Sequence, residues 1–141
     1  MTTPYTETLK HLAHTADTIP RLPGPHATAR AVSRTCGSRI TVDLTFTNAR
    51  LTGYGHLCET CLIGKASAAL LAQHIASTPN GITREHLQTG LTALQALLKN
   101  NTPLPEPWAD LAPLAAITPH RSRHAAAQLP FEAALNGWPL A

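Results

Sequence analysis

The sequence predicts an α+β fold: a small antiparallel β-sheet of about three strands packed against several α-helices. Three observations carry that expectation. Arg39 to Thr47, "RITVDLTFT", alternates, with Ile40, Val42, Leu44 and Phe46 facing one way and Thr41, Asp43, Thr45 and Thr47 the other. This is the pattern of a half-buried strand with a polar outer face. From Glu59 onward the apolar period becomes helical. Finally, the chain is 43% hydrophobic but only 4% aromatic, so its core is built from small aliphatic side chains that let helices lie close on a sheet. Its 141 residues correspond to one domain, residues 1–141.

Taken in order, Thr6 to Thr18 reads as a short helix with Leu9 and Leu12 inward and His11 and His14 beside them. "IPRLPGPHA" ends it, because the prolines and the glycine across Pro20 to Pro25 cannot continue a helix. "ARAVSRTC" supplies one flanking strand of the sheet. "TNA" is a tight turn, after which "RLTGYG" returns as the other flanking strand. In the next helix Leu62, Ala66, Ala69, Leu70 and Gln73 share a stripe, with Gly64 and Ala68 allowing close approach. Thr83 then caps a helix whose Leu87, Leu91, Leu94 and Leu98 recur on one face. "NNTPLPEPWAD" is a proline-rich break with Trp108 as a packed anchor, and Asp110 to Ile117 a short helical turn. "SRHAAAQLPFEAALNG" forms a last helix, kinked or staggered at Pro130 and stopped by Gly137.

The formal charge of +3 is too small and too scattered for a nucleic-acid binder, which shows a denser basic stripe with interleaved aromatics. No apolar run reads as a secretion signal or a membrane span, so neither nucleic acid nor membrane is an expected partner. Three cysteines, an odd number, fit reduced thiols in the cytoplasm, where a close pair is more often metal-binding or catalytic than disulfide-forming.

Cys58 and Cys61 form a Cys-x-x-Cys, but no second such pair or finger-spaced histidines accompany it, which argues against a zinc ribbon. An antiparallel setting argues against a thioredoxin-type pair. Cys61 falls at a helix start, where unpaired N–H groups and the dipole favour a thiolate. Cys36 lies in a turn feeding a strand, and if the strands pair as proposed it and Cys61 lie at one end of the sheet. Cys58 is either a ligand or a small buried hydrophobe. His120 and His124 flank "RSR" and are placed to point at one ligand, with His124 the stronger candidate to line the thiol site and His56 the weaker. His74 and His86 read as ordinary solvated or packed histidines. Glu59 is a helix-start carboxylate or an oxygen ligand.

The order of "CGS" opening a strand, then "GYG…CLIGKASAALLAQHI" and a late "HRSRHAAAQLPFEAAL" resembles the iron–sulfur cluster assembly scaffolds of the NifU/IscU type, over nearly the whole chain. The resemblance implies a NifU N-terminal-like (SufE/NifU-like) fold. It places the family's first ligand cysteine on Cys36 and its second on Cys61, since Ala66 and Ser67 stand where the family's Ala-Ser pair belongs. The chain departs from the pattern at two points: Ser38 replaces the family aspartate, and Ala126, after Ala125, replaces the third cysteine. Cys58 is an addition, and His124 is the candidate fourth ligand.

What the resemblance implies is a scaffold, not an enzyme. It takes sulfur from a cysteine desulfurase and iron at a Cys36, Cys58, Cys61 and His124 metal site, holds a transient iron–sulfur cluster, and hands it to apo iron–sulfur proteins. Three thiolates and an imidazole suit zinc as well as a two-iron cluster. The alternative is a zinc-binding or metal-free paralogue that docks or regulates a desulfurase, motivated by Ser38 and Ala126. A third reading is a sulfurtransferase acting through Cys61.

Overall fold

The structure, a computed structural model, describes residues 5–34 and 37–139. Cys36, the candidate first ligand, lies outside the described residues. Helix α1 (Glu7–Ala16) opens at Thr6, whose hydroxyl accepts from the Leu9 N–H as an N-cap does, and buries Leu9, Leu12, Ala13 and Ala16. The proline-bearing connector then crosses the sheet to β1 (Ala27–Val32), β2 (Arg39–Thr47) and β3 (Arg50–Glu59), an antiparallel sheet in the order β1-β2-β3. The expected three-stranded α+β architecture is present.

The β2–β3 turn holds Asn48 and Ala49 at φ 53° and 64°, the left-handed pair that a tight hairpin needs. Along β2, Ile40, Val42 and Leu44 are buried as the alternation requires. Helix α2 (Leu62–Ser77) runs beneath the sheet and is buried over most of its surface. Its alanines and Ser67 let α4 (His124–Asn136) lie against it, and the Ser67 hydroxyl donates to the Ala127 carbonyl at 2.6 Å. Helix α3 (Arg84–Asn100), capped by Thr83 and ended by Asn101 in the left-handed conformation, buries Leu87, Leu91, Leu94, Leu97 and Leu98.

Four expectations change. Asp110 to Ile117 is part of a twelve-residue 3₁₀ segment, Glu106–Ile117, that begins beside the prolines. Helix α4 runs through Pro130 without a break; packing against α2 and the sheet holds it in place of the lost backbone bond. Asp43 sits on the outer face but is 1% exposed, because the connector folds over it. Glu59 ends β3 and pairs across the sheet with Arg39 at 3.1 Å instead of starting a helix.

Candidate functional site

Two chain reversals lie at one end of the sheet. The first joins β1 to β2 and is closed by the Ser33 N–H donating to Ser38 O at 2.8 Å and the Gly37 N–H to Ser33 O at 3.0 Å. Gly37 takes φ +71°, a conformation glycine adopts without strain. The second joins β3 to α2, with Cys58 next to the end of β3 and Thr60 and Cys61 in the turn. The register puts Arg39 opposite Glu59 and Ile40 opposite Cys58, so the pairing of β2 with β3 brings the two reversals side by side. A direct contact ties them: the Cys61 N–H donates to Ser38 Oγ at 3.3 Å.

Cys61 is the N-cap residue of α2, with extended backbone (φ −65°, ψ 173°) and no side-chain capping bond. Its thiol is half-buried at the positive end of the sixteen-residue helix. Thr60 packs into the same turn, and Gly64 leaves room for it, since a Cβ there would run into the Thr60 side chain. The Thr60 hydroxyl donates to the Cys61 carbonyl at 2.8 Å. Its single proton is thereby used, so the 3.3 Å contact with Cys58 has the Cys58 S–H donating to Thr60 Oγ1. Burial pushes the Cys58 thiol above its ordinary range; the Thr60 bond and the nearby Lys65 ammonium oppose this, and Asp17 adds to it. Lys65 in turn pairs with Asp17 at 2.9 Å, which ties the first turn of α2 to the end of α1.

The remaining predicted residues are placed as follows. His56 is fully committed: its Nε2–H donates to the Ala16 carbonyl at 2.9 Å, and its Nδ1 accepts from the Tyr54 hydroxyl at 2.7 Å. Burial lowers its pKa and raises that of Tyr54, so both stay neutral and serve as a strut between α1 and β3. His124 opens α4, and its Nε2–H is shared between the carbonyls of Ile117 and Thr118 at 2.9 and 3.0 Å. With Nε2 carrying the proton, Nδ1 holds the lone pair. His120 is not brought to the same target: its Nε2 is buried without a partner among the described residues. Ala126, where the family places a cysteine, is fully buried next to the Ser67–Ala127 bond. Among the described residues no three His, Cys, Asp or Glu side chains converge as a metal site. Cys58 and Cys61 thus lie close in the chain at one end of the sheet, and His124 opens α4.

Sequence reasoning missed two clusters. Asp43 accepts from Arg21 Nε and Nη2 at 2.6 and 3.0 Å, from the Leu22 N–H at 3.0 Å and from the Thr28 hydroxyl at 2.8 Å. The guanidinium of Arg21 chiefly holds the Asp43 carboxyl down at about 2. His74, read as an ordinary helical histidine, is 6% exposed and hydrogen-bonded to Asp110 and His86. Its sequence signal was a histidine on an otherwise apolar face of α2, which needs a partner when buried.

No family model and no curated protein matches the chain. Solved structures do. A NifU-like protein (N-terminal part) from Brucella abortus is 29% identical, with a TM-score of 0.83 over 94% of this chain and 90% of that one. A scaffold protein for iron–sulfur cluster assembly in the SUF system of Fervidobacterium islandicum superposes with a TM-score of 0.82 at 12% identity, over 96% of this chain and 97% of that one. At that lower identity the likeness is one of fold.

Proposed function

We propose that this chain, which shares its fold with a NifU-like protein and with a SUF-system scaffold, is a divergent member of the NifU/IscU-type family and an iron–sulfur cluster assembly scaffold. In this reading it accepts sulfur from a cysteine desulfurase together with iron, and passes the cluster to apo iron–sulfur proteins in the cytoplasm. The cluster is cargo, and the chain acts as one domain with Cys36, Cys58, Cys61 and His124 as its ligands.

The observation that carries this reading is the bond between Ser38 and Cys61. It joins the reversal that contains Cys36 to the reversal that contains Cys61. Cys36 is one peptide bond from Gly37, so the family's first two ligand positions belong to loops that touch. Cys58 adds a third thiol at the end of β3, in contact with Thr60 of that turn. His124 is supported by its hydrogen bonds, since a ligating imidazole generally donates its other ring N–H to a carbonyl or carboxylate. The Ile117 and Thr118 carbonyls take the Nε2 proton and leave Nδ1 for the metal. Cargo capture by thiolates releases protons, and Cys58, whose thiol burial holds protonated above its ordinary range, must give up its proton to bind.

The test is iron, sulfide and zinc content with the visible spectrum of protein purified without air, compared with Cys36→Ser and Cys61→Ser. Iron and sulfide with a chromophore, lost in both variants, is the expected result. Reconstitution that gives no chromophore in the wild-type protein refutes it. A second reading rests on Ser38 and Ala126 standing where a carboxylate and a thiolate would tune and hold a cluster. In it the protein is a zinc-binding or metal-free docking module for a desulfurase. Stoichiometric zinc, or no metal, together with desulfurase binding and no sulfur uptake would favour that second reading.

A further inference from the structure

A histidine pair lies outside the thiol end of the molecule. His74, in the last turns of α2, faces His86, in the first turn of α3, with their Nε2 atoms 2.8 Å apart. The ring centroids are 5.0 Å apart and the planes differ by 19°. Nearly coplanar rings with their nitrogens in that contact meet edge to edge, not face on face. His74 Nδ1 is fixed from the other side by Asp110 Oδ2 at 2.7 Å. Trp108 lies flat across both rings, 3.6 Å from His74 at 12° and 4.9 Å from His86 at 25°. Its indole N–H donates to the His86 carbonyl at 3.2 Å. Gly90 leaves the space the indole fills, since a Cβ there would meet its six-membered ring.

The proton count in this arrangement is constrained. His74 Nδ1 carries a proton to donate to the Asp110 carboxylate. One proton, and only one, lies between the two facing Nε2 atoms. The next proton goes to His86 Nδ1 and leaves the bridge intact, giving a cationic pair beside Asp110. A further proton puts N–H against N–H, and the bridge is lost. The bridge thus tolerates one positive charge on the pair and not two. Burial, with His74 beside it, lowers the pKa of His86, and the Asp110 carboxylate opposes them. Arg84 and Glu85 precede His86 in sequence and are exposed. From α4 the neighbour is Phe131, against Trp108, which carries no charge.

The geometry points to an acid-released latch: the His74–His86 bridge clamps the first turn of α3 and the 3₁₀ segment Glu106–Ile117 onto the end of α2, and opens when both imidazoles are protonated. Each of the three elements contributes one part: His74 from α2, His86 from α3, and Asp110 with Trp108 from the 3₁₀ segment. The same segment ends in the Ile117 carbonyl, which with that of Thr118 holds His124. The latch is independent of whether His124 binds metal.

Trp108 is its built-in reporter, and Trp138→Phe isolates that signal. On lowering the pH from about 7.5 to about 5, emission of the Trp138→Phe protein changes sigmoidally with a midpoint below about 6.5, the ordinary histidine value, while far-UV circular dichroism holds. In the His86→Gln derivative an amide donates to His74 but cannot gain a charge, and the transition is absent. In Asp110→Asn an acceptor for His74 remains, but the charge favouring the cationic pair is gone, so the midpoint falls by on the order of half a unit. A merely structural contact would leave the midpoint in place. Flat emission in the parent overturns the latch. So does an unchanged transition in either derivative, or one that coincides with loss of the circular dichroism signal.

Discussion

Replacing Asp43 with asparagine is the most direct test of how the connector is held on the sheet. Asp43 is 1% exposed in β2 and takes four hydrogen bonds, two of them from the Arg21 guanidinium. Its carboxyl is held at about 2 against an ordinary 3.8. At about 1.4 kcal/mol per pH unit, a difference of nearly two units corresponds to about 2.5 kcal/mol of stability. Arg21 is half in solvent, with 49% of its side chain exposed, and screening reduces this electrostatic part to about 1–2 kcal/mol. Asparagine also turns an NH2 toward a donor and leaves a buried acceptor short, which adds about 1 kcal/mol.

The expected loss is therefore about 2–3 kcal/mol at pH 7, read as a lower midpoint in urea. The sign follows from the depressed pKa. The electrostatic part is complete above the unfolded value of about 3.8 and is lost as pH falls toward about 2. The gap between wild type and Asp43→Asn should narrow over that window. A variant within about 0.5 kcal/mol of wild type at pH 7, or a gap unchanged down to pH 3, would show that Arg21 and the connector are not anchored through this carboxylate.

Four further outcomes are expected. Ser38→Ala removes the acceptor for the Cys61 N–H; because that bond is long, it lowers stability by only about 1 kcal/mol but loosens Cys61, seen as faster amide exchange there. Alkylation of Cys58 follows a pH profile displaced above that of an ordinary thiol, because burial raises its pKa; mass-resolved labelling between neutral and alkaline pH checks this, and a profile like that of a free thiol would contradict it. Gly90→Ala drives a methyl into the Trp108 ring and lowers stability by about 1–3 kcal/mol, with a change in Trp108 emission. Ser67→Ala removes the hydroxyl that donates to the buried Ala127 carbonyl at 2.6 Å and lowers the urea midpoint by an amount equivalent to about 1 kcal/mol.

What the sequence alone determined is the set of elements whose signals are local. The alternation of Ile40, Val42 and Leu44, the Thr83 cap with its leucine stripe, and the proline breaks each act within a few residues, where hydrophobic period and backbone sterics decide. The start of α2 at Cys61 was legible for the same reason. The length of the 3₁₀ segment and the continuity of α4 through Pro130 were not, because packing against α2, not propensity, stabilises them.

Contacts between distant segments were decided only by the tertiary structure. The Cys-x-x-Cys spacing says nothing of Ser38, which reaches Cys61 because β2 pairs with β3 in one register. Asp43 looked like a solvated face residue until the connector brought Arg21 over it. His74, His86 and Asp110 are separated in sequence by 12 and 36 residues from His74 and share a proton bridge only because α2, α3 and the 3₁₀ segment meet around Trp108. Hydrogen bonds and charge act over a few ångströms, so their partners are chosen by how the chain packs, not by where the residues stand along it.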